Sequence, residues 1–148
     1  MRLWELSEFF HRPILGPQRS IAMLLDLAPG WTMDLDRGPD WLFVRLRPPK
    51  HATTLEVELA EPVWDALEQA FTYRLVLELD ELQLMRSWTI GELVKLHKRI
   101  TAHSGTMRLS GLSDANQAVL RMCRLDDCFP QYRDRHDAVM GHRPGQPR

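Results

Sequence analysis

Residues 75–109 read LVLELDELQLMRSWTIGELVKLHKRITAHSGTMRL, and this stretch decides the fold. Leu75-Val76-Leu77-Glu78-Leu79 is short and mostly apolar, the pattern of a central strand covered on both faces. From about Thr89 to Ser104 the period becomes helical, with Ile90, Leu93, Val94, His97, Ile100 and Thr101 on the inner side. Thr89-Ile90-Gly91-Glu92 fits a capping box at the start of that helix. Gly105 stands where a left-handed cap would end it. Met107-Arg108-Leu109 then gives a further short strand. Strand, helix and strand in this order imply a crossover between parallel strands.

Upstream, Pro62 suits the first turn of another helix, with Val63, Ala66, Leu67 and Ala70 as its apolar stripe. Before it, Trp31, Met33 and Leu35 alternate with polar residues, as do Leu42, Val44 and Leu46. The turn Asp36-Arg37-Gly38-Pro39-Asp40 joins them into a β-hairpin. Thr53, Leu55, Val57 and Leu59 also alternate and suggest a third strand. Residues 1–30 read as a helical extension. Leu3, Leu6 and Phe10 have helical spacing, and Ser20 can cap a helix bearing Ile21, Leu24, Leu25 and Ala28. These apolar residues are expected to pack on the domain or to form a self-association surface, as in a homodimer. Downstream, Ser113 or Asp114 can cap a third helix facing inward with Ala115, Ala118, Val119, Met122 and Cys123. Residues 141–148, with two glycines and two prolines, read as a flexible tail. The division is an extension at 1–30, a domain at 31–140 and the tail.

Composition narrows the function. The 148 residues favour one domain, and 44% hydrophobic with 26% charged content is that of a globular chain. Nineteen basic against twenty acidic residues give a formal net charge of -1, which argues against a broadly basic nucleic-acid binder. No apolar run is long enough for direct membrane insertion, and no signal peptide is seen, so the expected location is cytoplasmic. Cys123 and Cys128 do not have CxxC spacing, and both are expected to be at least partly buried. The six histidines are scattered, so no metal and no cofactor is expected. Lys95, Lys98, Arg99 and Arg108, with His97 and His103 nearby, form a basic patch, read as a solvated helix face. No catalytic constellation appears, and the chain is expected not to be an enzyme.

The stretch from Leu75 to Val139 resembles the STAS domain, the fold of anti-sigma-factor antagonists. Five features carry the resemblance. Leu75–Leu79 stands for a strand that in the family usually ends in Asp-Leu. Met85-Arg86-Ser87-Trp88-Thr89-Ile90-Gly91 stands where the family has an apolar residue followed by Asp-Ser-Ser-Gly-Leu-Gly. Leu96-His97-Lys98-Arg99 before Gly105 is like the family's basic helix ending in Gly. Met107 to Ser113 is like its next strand. Leu125-Asp126-Asp127-Cys128-Phe129-Pro130, followed by Asp137-Ala138-Val139, is like its ending. The resemblance implies an α/β fold with a mixed β-sheet covered by helices.

It also implies a non-catalytic regulatory module that switches between protein partners, an anti-sigma factor or a kinase-like ATPase. The family's regulated serine falls on Ser87, the candidate phosphorylation site, while Arg86 replaces the preceding Asp and Trp88-Thr89 replace Ser-Gly. Arg86, Ser87, Trp88 and Thr89 are therefore the candidate partner-binding residues. A helix start favours an anion, and an aromatic residue beside an arginine is a common interface anchor. From another class, the alternative is a structural STAS subunit of a membrane-lipid transport complex. A nucleotide sensor is a third idea, for which no phosphate-cradling glycine loop is present.

Overall fold

Alternation of apolar and polar residues builds the first half of the sheet. The computed structural model describes residues 22–28, 30–51 and 56–142. Strands β1 (Ala22–Ala28), β2 (Trp31–Arg37) and β3 (Leu42–Arg47) form an antiparallel meander. Register pairs Leu25 with Met33 and Leu35 with Val44, so one face of all three strands is apolar.

Each later strand is reached through a helix. Helix α1 (Ala60–Gln69) leads to β4 (Arg74–Glu78), and α2 (Ser87–Ala102) leads to β5 (Thr106–Ser110). Helix α3 (Asp114–Met122) leads to the two-residue β6 (Gln131–Tyr132), and α4 (Arg135–Met140) closes the described chain. The β3–β4, β4–β5 and β5–β6 pairs are all parallel, and the sheet runs β1-β2-β3-β4-β5-β6. Crossover connections of this length are what parallel neighbours require. The result is a mixed six-stranded sheet.

The two faces of the sheet differ. Val63, Trp64 and Leu67 of α1, Leu93, Leu96 and Ile100 of α2, and Leu120 of α3 join Met33, Leu35, Val44, Leu77 and Leu109 in the main core. The opposite face carries a smaller cluster of Trp41, Phe43, Val76, Tyr132 and Ala138, under α4. β4 is therefore buried on both faces, which explains its apolar run.

Several expectations are corrected. Residues 22–28 form β1 and not a helix capped by Ser20. Met23, Leu25 and Leu27 turn toward the core while Leu24 and Asp26 turn outward, a period of two that pairing with β2 selects. Ser20, Ile21 and the helical pattern of Leu3, Leu6 and Phe10 lie outside the described residues. Residues 56–59 are not strand; Val57 and Leu59 are buried in the lead into α1, and residues 52–55 lie outside the description.

Helix α2 begins two residues earlier than expected; its buried stripe is Thr89, Leu93, Leu96 and Ile100, and Thr101 is exposed. The left-handed residue after α2 is Ser104, φ 57, and not Gly105. Gly105 is needed for closeness instead, since a Cβ there would lie 2.3 Å from the Tyr73 carbonyl oxygen. On α3 the inward residues are Asn116 and Leu120, while Ala115, Met122 and Cys123 are exposed. Cys128 is exposed as well. The helix ends at Met122, so Cys123 leaves the inward stripe. The tail residues 143–148 lie outside the description; Gly141, φ 76, ends α4.

Candidate functional site

The loop between β4 and α2 lies at the carboxyl end of the parallel strands and is held from several sides. The Leu79 N–H donates to the Ser110 carbonyl at 2.9 Å, extending the β4–β5 ladder into the loop. Gly111, φ 72, packs so closely that a Cβ there would lie 2.8 Å from Asp80 Cβ. Asn116, fully buried, clamps the rest. Its Oδ1 accepts from the Met85 N–H at 2.7 Å, and its Nδ2 donates to the Leu82 carbonyl at 2.8 Å. Ser113 caps α3 by accepting from the Asn116 N–H at 3.2 Å, which fixes where the clamp stands.

Asn116→Ala leaves the Met85 N–H and the Leu82 carbonyl without their partner. It is expected to cost about 1–3 kcal/mol of stability. Amide exchange at residues 82–88 should rise more than in the rest of the sheet. Uniform exchange changes would show that the clamp does not hold this loop.

The four candidate residues do not share one environment. Arg86 is the N-cap of α2, extended and exposed, and its side chain makes no capping bond. Ser87 is the first helical residue and is exposed. Trp88 is half-buried, its ring meeting Trp31 edge to face at 5.6 Å between centroids. It is both packed and partly displayed, the geometry of a rigid aromatic anchor. Thr89 is 1% exposed and belongs to the buried stripe, so its side chain offers a partner no surface.

The capping box is replaced by a bond between helices. Glu92 Oε2 accepts from the Ala60 N–H of α1 at 3.1 Å, where Leu59 supplies no side-chain cap, and Lys95 donates to Glu92 Oε1 at 3.1 Å. This role was not readable from local spacing, because its partner lies 32 residues away.

The basic patch does not assemble. Arg99 pairs with Glu61 at 2.7 Å and lies over the Trp64 ring at 4.8 Å, and Lys95 pairs with Glu92. Arg108 is on the other side of the sheet, over Trp41 and Tyr132, donating to the Ala138 carbonyl. Side chains alternate across a strand, and Arg108 stands on the face turned away from the helix while Met107 and Leu109 meet it, so neighbours in the pattern became opposites in space.

Beside the loop is a cleft of about 910 Å³. Trp31 and Trp88 form part of its wall, with Arg47, Lys50, His51 and Arg86 around it. Its acids are already paired. Asp80 Oδ1 lies 3.2 Å from Arg45 Nε, and Glu81 Oε1 lies 3.3 Å from Arg47 Nη1. Arg47 also donates from Nε to Asp34 at 2.7 Å. That hydrogen bond, with the charges of Asp34 and Glu81, raises the Arg47 pKa further above its ordinary value. The sequence reading missed Trp31 as a site residue. It read simply as an inward strand position.

Under α4 is a second polar feature that sequence reasoning did not find. Glu78, 4% exposed, accepts from Arg45 Nη2 at 2.7 Å and from Arg135 Nε at 3.0 Å. Arg135 also pairs with the buried Asp36, and its guanidinium lies 4.2 Å above the Phe43 ring. Burial alone would lower the Arg135 pKa. The bonds and charges of Glu78 and Asp36 outweigh it, and the pKa is raised. The four residues lie on β2, β3, β4 and α4, so no local motif announces them.

Among the described residues, no group of three or more His, Cys, Asp or Glu could hold a metal ion. No helix among them is long and apolar enough to cross a membrane.

A family model described as STAS domain matches residues 50–138. No curated protein sequence matches the chain. Among solved structures, the chain is similar to an anti-sigma factor antagonist from Mycobacterium paratuberculosis, with TM-score 0.62 and 17% identity over 77% of this chain and 96% of that one. It is also similar to a variant of RsbS from Moorella thermoacetica, with TM-score 0.57 and 13% identity over 84% and 94%. A third similar structure is an anti-sigma-factor antagonist (STAS) domain protein from Planctomyces limnophilus, with TM-score 0.52 and 19% identity over 74% and 96%. At these identities the likeness is one of fold.

Proposed function

The chain belongs to the STAS domain family, and from this premise we propose that it is a non-catalytic, protein-binding regulatory module of the anti-sigma-factor-antagonist kind. Its partner is a protein, an anti-sigma factor or a kinase-like ATPase. The observation that carries the reading is the β4–α2 loop. It is held rigid from below by Asn116 and Gly111, and it displays Arg86, Ser87 and half of Trp88. A rigid loop with an aromatic anchor and an arginine costs little to order on binding. Two of the similar structures are those of anti-sigma-factor antagonists, which supports the same reading.

Phosphorylation of Ser87 is the proposed release signal. The exposed hydroxyl sits at the first position of a 16-residue helix, where unpaired N–H groups and the helix dipole favour an anion. Phosphate there adds about -1.5 to -2 charge to the surface that meets the partner.

The test is a calorimetric titration against the protein that co-purifies with the wild-type chain. Ser87→Asp is expected to weaken binding about tenfold or more, as one lost charge-matched contact does. Trp88→Ala is expected to weaken it by a similar factor or more, since a truncated anchor costs about 2 kcal/mol or more. If both variants bind like wild type, the binding surface lies elsewhere on the domain.

A further inference from the structure

We propose that the outer edge of β1 pairs with the same edge of a second copy of this chain, antiparallel about a two-fold axis and centred on Leu24. The partner-binding reading requires no such pair.

β1 is the end strand of the sheet, and among the described residues no strand pairs with its outer edge. An edge strand offers a row of unpaired N–H and C=O groups, which proteins usually guard with lysines, prolines or bulges. β1 reads Ala-Met-Leu-Leu-Asp-Leu-Ala, with no lysine, arginine or proline and a single charge, Asp26. A bulge does occur, but only at the far end. Pairing with β2 is regular from Ala22 to Asp26 and shifts between Asp26 and Ala28. The stretch before the bulge is left unguarded, and Leu24 at its middle is 60% exposed. Leu25 is buried in the main core, and Met23 and Leu27 pack against that core. The inward side of β1 is thus satisfied within the domain, whereas its outward leucine is not.

The pattern of this stretch selects a second copy as the occupant. A two-fold axis perpendicular to the sheet keeps the two faces in common, so only residues of the same face can stand opposite each other. The register that uses the whole regular stretch sets Leu24 against Leu24, Met23 against Leu25 and Ala22 against Asp26. Each Leu24 then covers its counterpart on one face, and Met23 with Leu25 continues the apolar row on the other. The two Asp26 residues stand more than about 13 Å apart, at about 3.4 Å per residue. Exposed charges beyond about 8–10 Å are largely screened. A register centred on Leu25 would instead set Leu24 against Asp26 and carry the pairing into the bulge. The chain's own sequence, run antiparallel, therefore meets both the apolar and the charge pattern of the edge. Main-chain hydrogen bonds supply the affinity. One short strand pair is a small interface, so the dimer dissociates on dilution.

The experiment is sedimentation velocity of the full chain from about 1 to about 100 μM, a range in which a small interface associates. We expect the average mass to rise with concentration from one chain toward two. Leu24→Lys sets two like charges opposite each other and should weaken dimerisation about tenfold or more. It should melt like wild type in dilute solution, because Leu24 is exposed. Leu84→Lys, similarly exposed on the loop after β4, is the control and should leave dimerisation unchanged. Cross-linking reads the register, in a chain whose exposed Cys123 and Cys128 are replaced by serine. Cα atoms directly opposite in an antiparallel pair lie about 4.5–5.5 Å apart, within disulfide range. Oxidation should therefore link Leu24→Cys chains into a covalent dimer and leave Asp26→Cys chains unlinked. The proposal is overturned by any of three results. One is a chain that stays monomeric at about 100 μM. Another is a dimer that Leu24→Lys weakens no more than Leu84→Lys does. The last is Asp26→Cys linking as readily as Leu24→Cys. The β4–α2 loop lies three strands away from this edge, so partner binding is decided by its own titration.

Discussion

Leu77→Ala lowers the stability of the domain by about 2–5 kcal/mol, the cost of a cavity in a packed core. Leu77 is 1% exposed at the centre of β4. In the sheet it is flanked by Val44 of β3 and Leu109 of β5, and helices cover it from the same side. Both flanking strands are themselves tied into further ladders, β3 with β2 and β5 with β6, so the site cannot collapse to fill the space. A loss of this size is a large share of the about 5–15 kcal/mol that holds a typical domain. In a chain of this length it lowers the melting temperature by about 10 °C. Leu84→Ala is the control. Leu84 is 58% exposed on the loop after β4, and its truncation should change stability by about 0.5 kcal/mol or less. Urea unfolding of the two variants checks the pair. Were Leu77→Ala to cost no more than Leu84→Ala, β4 would be an edge strand and the sheet order wrong.

The same contrast explains how much of the fold the sequence reveals. Strands whose burial is one-sided or two-sided throughout, β2, β3 and β4, were legible because period and burial agree. β1 was misread because Ile21, Leu24, Leu25 and Ala28 also satisfy a helical period. Pairing with β2, a tertiary effect, decides between the two. β6 has two residues, too few for any period to register. Helix stripes were legible to within one step of rotation. On α2 packing selects Thr89, Leu93, Leu96 and Ile100, one step of rotation from the expected set, and α3 ends at Met122, before Cys123.

The candidate site divides in the same way. Its position was legible because a strand end followed by a helix start is a local feature. Its supports were not, because every one of them is long-range. Asn116 reaches back 31 residues to Met85, Glu92 reaches 32 residues to Ala60, and Trp31 meets Trp88 across the sheet. A buried Asn on the same helical face as Leu120 was the one signal that could have been taken from the sequence. An amide on an apolar stripe needs partners, and the nearest backbone in want of them is a loop.

Arg135→Ala is expected to have the largest effect of any substitution on the opposite face. Arg135 pairs with two buried carboxylates, Glu78 and Asp36, from a side chain that itself keeps 37% exposure. Removing it leaves Glu78 with Arg45 alone and Asp36 with no ion-pair partner among the described residues, and Asp36 Oδ1 already lacks a hydrogen-bond partner. Breaking a buried pair costs about 3–5 kcal/mol. Water reaching the partly exposed arginine position brings the expectation to about 3 kcal/mol at neutral pH. Asp36→Asn in the Arg135→Ala background removes one stranded charge and should return about 1 kcal/mol. Chemical unfolding of the single and double variants measures both. A double variant no more stable than the single one would mean that the loss is packing of Arg135 on Phe43 and that the carboxylates are already solvated.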